Sequence, residues 1–210
     1  MDVVRGRGWP VVLQHDAVRL RPLSRRDAHA WHRLRSANAE WLAPWEATSP
    51  TPDVPLPSFR RMVHDLRRQA VAGRALPFAI DYEGRLAGQL TVSSIVWGSL
   101  QSAAVGYWVD RSLAGRGIAP TALALAVDHC LHTLGLHRVE VNIRPENAAS
   151  LRVVAKLGLR EEGLRRRYLH IDGDWRDHRS FAVTADEVPQ GLLARWLAES
   201  HPSQEISPGT

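Results

Sequence analysis

The feature that restricts this chain most is a glycine turn set between two apolar runs of different period. Ala103 to Val109, ending in Gly106-Tyr107-Trp108-Val109, reads as a strand, and Pro120 to Leu134 reads as a helix. Ala114-Gly115-Arg116-Gly117-Ile118-Ala119 joins them. Glycine admits positive φ and lets backbone amides approach a neighbour closely. Pro120 suits the first helical turn, where its missing N–H would have no partner in any case. Such a turn aims several N–H groups and the positive end of a helix at one point, which suits a diphosphate. The plainer alternative is an ordinary glycine-containing loop. The sequence lacks the Gly-Lys-Ser/Thr of a P-loop and the GxGxxG spacing of a dinucleotide fold.

The remaining elements follow from period and punctuation. Val18 to Leu23 alternates as a strand, and Ser24 or Asp27 caps a helix through Trp31 and Leu34. An aromatic break, Trp41 to Glu46, and a Pro-rich loop, Thr48 to Pro57, come next. Ser58 caps a second helix that ends at Gly73. Glu83-Gly84 joins two strands, Leu76 to Tyr82 and Leu86 to Val96. After the glycine turn and its helix, Val139, Val141 and Ile143 alternate on a strand, and Asn147 caps another helix. Two strands near Arg165 to Ile171 and Trp175 to Val183 turn at Asp172-Gly173, and Leu192 to Leu197 forms a short terminal helix. This order predicts an α/β (α+β) fold: one three-layer domain around a mixed, mostly antiparallel sheet. Residues 1–17 read as an extension, 18–198 as the domain and 199–210 as a disordered tail.

Length and composition agree with one globular domain: 210 residues, 44% hydrophobic and 23% charged. Cys130 is the only cysteine, so no intramolecular disulfide forms and a reducing compartment is expected. The first sixteen residues hold no apolar run of signal-peptide length, and no stretch nears the roughly 18 apolar residues of a membrane span. A soluble, cytoplasmic protein is expected. Its net charge is +5, carried almost wholly by Arg, with Lys156 the only lysine. Arginine suits bidentate phosphate contacts, so a polyanionic cofactor, RNA near a ribosome and a solvated surface all fit that charge.

Two motifs together resemble a known family. The turn 114–119 is similar to the Gln/Arg-x-x-Gly-x-Gly/Ala turn of the GNAT acetyltransferases, with Ala114 at the Gln/Arg position. Asn147-Ala148-Ala149-Ser150-Leu151, followed by Lys156-Leu157-Gly158-Leu159, resembles the family's Asn-x-x-Ser and Lys-x-Gly-Phe/Leu helix. Arg19 to Leu23, Trp41 to Trp45 and Gly173 to His178 resemble the Rim-type ribosomal-protein alanine N-acetyltransferases within that family. The resemblance implies a GNAT fold whose sheet splays at the cofactor site. It implies acetyl transfer from acetyl-CoA to a protein N-terminal α-amine, an Ala or Ser of a ribosomal protein, by direct attack on the thioester. It also implies a monomer or homodimer without a metal. A small-molecule amine acetyltransferase and a non-catalytic CoA- or RNA-binding module are the competing readings.

The same resemblance assigns residues. The diphosphate falls to Ala114, Gly115, Arg116, Gly117, Ile118, Ala119 and Thr121. A backbone amide around Trp108 or Val109 polarises the thioester, and Asn147, Ser150 and Leu151 flank the pantetheine arm. Ser150 or Tyr168 protonates the leaving thiolate. The family's carboxylates fall on Ala104 and Arg167 here, which leaves Glu140 as the candidate base. Trp41, Trp45 and Glu46 wall the acceptor site and hold its ammonium. The absence of a dedicated base suits α-amines: at a pKa near 8, about 10–20% is neutral at pH 7, against well below ~0.1% for lysine. His129, His132 and His137 lack a metal-site spacing, and His170 with His178 reads as a surface pair across a hairpin.

Overall fold

The computed structural model describes residues 9–51 and 57–200. The middle of the expected Pro-rich loop, 52–56, and nearly all of the expected tail lie outside them. Eight strands form one sheet: β1 (Leu13–His15), β2 (Val18–Pro22), β3 (Leu76–Tyr82), β4 (Arg85–Val96), β5 (Ser102–Val109), β6 (Arg138–Ile143), β7 (Arg160–Ile171) and β8 (Asp174–Thr184). Their order is β1-β2-β3-β4-β5-β6-β8-β7. Every pairing is antiparallel except β5 with β6. The helices are α1 (Ala28–Ala37), α2 (Ala39–Leu42), α3 (Phe59–Val71), α4 (Ile118–Asp128), α5 (Ala148–Lys156) and α6 (Leu192–Ser200). The three-layer α/β arrangement expected from the sequence is present.

Alternation along the strands sorts side chains to the two faces. Phe78, Ile80, Leu90 and Val92 face the large core under α4, α5 and α6, whereas Ala79 faces the smaller core of Leu23, Phe59 and Val63 under α1 and α3. The β3–β4 and β7–β8 hairpins close on tight turns in which two successive residues have positive φ: Glu83 and Gly84 at 50° and 76°, Asp172 and Gly173 at 49° and 77°. Turns of that hand match the twist of the strands they join.

Three differences from the sequence reading have physical causes. Leu13–His15 adds an edge strand through three residue pairs with β2. β7 begins at Arg160, earlier than read, because its first residues, Arg-Glu-Glu-Gly, are exposed on an edge and carry no apolar alternation. α4 starts at Ile118, with Gly117 as its left-handed N-cap (φ 77°), and its last turn, His129–Thr133, widens to a π-helical turn.

A buried ion cluster ties β2 to the first helical turn. Arg21 bonds Asp27 through both Nη atoms (2.9 Å each) and Asp81 through Nε (2.7 Å) and Nη2 (3.1 Å). Burial pushes the Asp27 carboxyl up, but hydrogen bonds from Arg21 and Ser24 outweigh it and hold the group below the ordinary carboxylate value. Its contribution is therefore present above the ordinary pKa and lost as pH falls through the depressed one. Arg21→Met would strand two carboxylates among apolar neighbours. The expected cost is about 3–5 kcal/mol, read as a lowered urea midpoint at neutral pH, with less difference from the parent near pH 3.

Candidate active site

The site follows from where the single parallel pair ends. β5 and β6 pair only from Ser102 to Ala104 and from Arg138 to Glu140. Beyond these residues the strands diverge, while β5 stays in register with β4 as far as Val109. The Asp110 N–H donates to the Ala87 carbonyl (2.8 Å). With Gly88 opposite Val109, that bond marks a pair whose own polar groups face away from each other. The Val109 N–H therefore points off β4 and into the opening, as do the polar backbone groups of Tyr107 two residues earlier. Of the two amides expected from the sequence, Val109 has the orientation.

Two cavities flank the opening. The larger, about 250 Å³, runs along the glycine turn and includes Trp108, Val109, Ala114, Gly115, Gly117, Ile118 and Ala119 in its wall. Gly115 and Gly117 have φ of 84° and 77°, and a Cβ on Gly115 would meet nothing within 4 Å. The turn thus has open space beside Gly115 and leads directly into the α4 N-terminus, an end that favours anions. Arg152 and Lys156, one turn apart on α5, add positive charge to the same wall. The smaller cavity, about 210 Å³, lies on the β6–β8 side, with Val105, Ile143, Arg144, Ile171 and His178 in its wall. Tyr107, Asn147, Ser150 and Trp45 line both.

Asn147 caps α5, its Oδ1 accepting the Ser150 N–H (3.0 Å). That cap fixes the first turn of α5 and the Ser150 side chain at the junction of the cavities. The Tyr107 hydroxyl is enclosed there and faces Ser150 without a well-aligned hydrogen bond. Burial raises its pKa well above the ordinary phenol, more than Ser150 lowers it, so it stays protonated at neutral pH.

The other sequence-based candidates lie elsewhere or are already engaged. Arg116 and Leu151 are absent from both cavity walls, and the Thr121 hydroxyl is turned to α6, accepting from Trp196 Nε1 (3.1 Å). Tyr168 is 40% exposed on an irregular stretch of β7, under the Arg165 guanidinium. Glu140 is held by Arg138 (2.9 Å) and Arg165 (2.6 Å) and lines neither cavity. Glu46 is paired with Arg35. Trp41 and Trp45 do overhang the site, but Arg111 and Arg144 stack on their rings at 5.4 and 5.5 Å. His170 does not face His178: the register sets His170 against Trp175 and His178 against Arg165. Among the described residues no group of three or more His, Cys, Asp or Glu could hold a metal, and no helix is long and apolar enough to cross a membrane.

Sequence reasoning missed Tyr107, Arg152, Lys156 and His178 as wall residues. Arg152 and Lys156 left a signal, since residues 149, 152, 153 and 156 share one helical face beside Asn147. Tyr107 and His178 left none, because their placement depends on how the strands separate.

An opened parallel pair, a glycine turn at a helix N-terminus and cavities meeting at the opening define an acyltransferase site. The Acetyltransferase (GNAT) domain family matches residues 17–160, and the chain belongs to that family of N-acetyltransferases. It is 29% identical over 184 residues to the ribosomal protein uS5-alanine N-acetyltransferase of Escherichia coli, a match covering 86% of this chain and 94% of that one. The structure of Mycobacterium smegmatis RimJ in complex with CoA-disulfide superposes with a TM-score of 0.84 at 44% identity, over 92% of this chain and 96% of that one. The ribosomal-protein-S5-alanine acetyltransferase of Vibrio fischeri gives 0.74 at 26% identity, over 84% and 98%.

Proposed function

We propose that this protein transfers the acetyl group of acetyl-CoA to the α-amine of a protein N-terminus, an Ala or Ser of a ribosomal protein. The observation that carries the reading is the meeting of two cavities at Tyr107, Asn147 and Ser150. One has the glycine turn, Arg152 and Lys156 in its wall, a lining suited to a nucleotide diphosphate arm. The other is lined by apolar residues and neutral polar groups, with Arg144 its only unambiguous charge. Substrates entering from opposite sides would touch only at the opening.

In this reading acetyl-CoA supplies the activated acetyl, its diphosphate on the N–H groups of 115–119 and its phosphates near Arg152 and Lys156. The Val109 N–H donates to the thioester oxygen as negative charge develops there. Asn147 and Ser150 flank the pantetheine arm. The Ser150 hydroxyl donates to the departing sulfur, with the protonated Tyr107 hydroxyl beside it. The complexes and names of the related proteins support the cosubstrate and the ribosomal acceptor, and cytoplasmic residence goes with that acceptor.

The acceptor-side wall contains no Asp or Glu among the described residues, which disfavours a polyamine. A peptide with a free N-terminal Ala should react at least about 100-fold faster, in kcat/KM at pH 7, than its N-blocked, lysine-containing form, in line with the neutral fractions of the two amines. Release of CoA thiol with a peptide panel measures this. Equal rates would overturn the α-amine reading, and no release with any amine would leave a binding module.

A further inference from the structure

We infer that His178 is the proton acceptor for the attacking amine, with Nε2 taking the proton in the acceptor-side cavity. The inference rests on the proposed N-acetyl transfer and names the group that completes it. His178 lies on β8, is only 4% exposed, and its ring lines the acceptor-side cavity. Its Nδ1 lies 3.1 Å from the Arg176 carbonyl oxygen. A carbonyl only accepts, so Nδ1 carries the hydrogen and Nε2 carries the lone pair. Among the described residues Nε2 has no hydrogen-bond partner, yet it is not a sealed, unsatisfied atom. It therefore opens to the cavity. A buried imidazole with its tautomer fixed by one bond and its basic nitrogen facing a cavity is arranged as a general base.

The surroundings keep the ring neutral. Burial lowers its proton affinity most, the Arg176 carbonyl opposes this, Arg144 lowers it further, and Glu146 and Asp177 raise it. The net result lies below the ordinary value of 6.5. Tyr168 meets the ring edge-on at 5.4 Å and Arg165 is its partner across β7, while Tyr107 faces it over the same cavity. Near pH 7 the base is thus already deprotonated.

The step balances. The amine lone pair forms the C–N bond at the thioester carbon, and the nitrogen's proton passes to Nε2, directly or through one water. The C–S bond breaks with its electron pair on sulfur, which takes the Ser150 proton. Imidazolium releases its proton to water through the cavity mouth, and the serine recovers one from water. The amide and the free thiol leave neutral.

His178→Gln keeps a polar side chain of similar reach but cannot accept the proton. Its kcat should fall about 100-fold. The KM for acetyl-CoA should stay within about twofold, since His178 lies outside the cofactor-side wall. The part of the fall of wild-type kcat on acidification that lies below the α-amine's own titration should disappear in the variant. A kcat within threefold of wild type, with that acidic limb kept, would overturn the assignment. Nitrogen NMR of wild-type imidazoles decides independently of how the variant folds: the Nδ1–H tautomer is expected for His178, and the Nε2–H tautomer refutes the assignment. The kinetic arm uses whichever amine the wild type acetylates, so a wrong acceptor would be seen as such without deciding the role of His178.

Discussion

Gly88→Ala is expected to destabilise the protein by about 3 kcal/mol, at the upper end of overpacking costs, and to cut turnover about 100-fold. A Cβ at this position would lie 2.2 Å from the Trp108 carbonyl oxygen and 3.0 Å from the Val109 Cα. Both are backbone atoms of a central strand and cannot swing aside as a flexible side chain would. β5 would have to shift off β4, and the Val109 N–H would move with it. Stability and activity therefore fall together. Gly106→Ala, one strand over, is the matched comparison: its Cβ meets nothing within 4 Å, and its unfolding free energy should change by less than about 1 kcal/mol. Urea unfolding of both variants, with thiol release at saturating substrates, measures this. An unchanged midpoint for Gly88→Ala would mean that the two strands separate easily.

The second large effect concerns the turn. Val at both Gly115 and Gly117 must adopt φ near 84° and 77°, where a β-branched residue is strained by roughly 1–2 kcal/mol each. The turn will relax to negative φ instead, and its N–H groups will no longer converge. CoA affinity, by calorimetry, should fall about 100-fold. Wild-type protein at ~100 times its Kd for CoA should gain about 2.7 kcal/mol against unfolding, and the double variant almost none. Because a Cβ at Gly115 has open space and one at Gly117 meets only Trp196 at 3.8 Å, the unliganded fold should survive. Retained affinity would show that side chains, not the backbone, hold the diphosphate.

What the sequence could and could not disclose follows from the range of the interactions. Asp172-Gly173 and Glu83-Gly84 were legible because a two-residue turn is a local matter of φ. The α4 stripe was legible because Leu123, Val127 and Cys130 repeat at helical spacing and all are buried. The glycine turn announced itself for the same local reason. The divergence of β5 from β6 was not written in either strand, since Val105 and Val141 look like any paired sheet residues. That divergence is what gives Tyr107 and His178 a cavity to face. Glu140 and Glu46 looked available because Arg165 and Arg35, which engage them, are 25 and 11 residues away in the chain; only Arg138, two residues from Glu140 on the same strand, was a local clue. Long-range ion pairs leave no local pattern. Only the first residues of β7, from Arg160, were missed, because they lie exposed on an edge and lack the apolar face that betrays a strand.

One small joint links the two halves of the site. Asn38, at the end of α1, donates through Nδ2 to Asp110 Oδ1 (3.0 Å) and accepts the Arg111 N–H on its Oδ1 (2.9 Å). Asp110 in turn holds Ser112 through its backbone N–H (3.1 Å) and hydroxyl (2.9 Å). The segment bearing Trp41 and Trp45 is thereby hinged to the residues that lead into the glycine turn. Trp41 and Trp45 share the larger cavity's wall with that turn, so one amide ties together two distant stretches of the same wall. Truncating Asn38 to alanine should therefore disturb both stretches at once, read as weaker CoA binding together with a lowered urea midpoint.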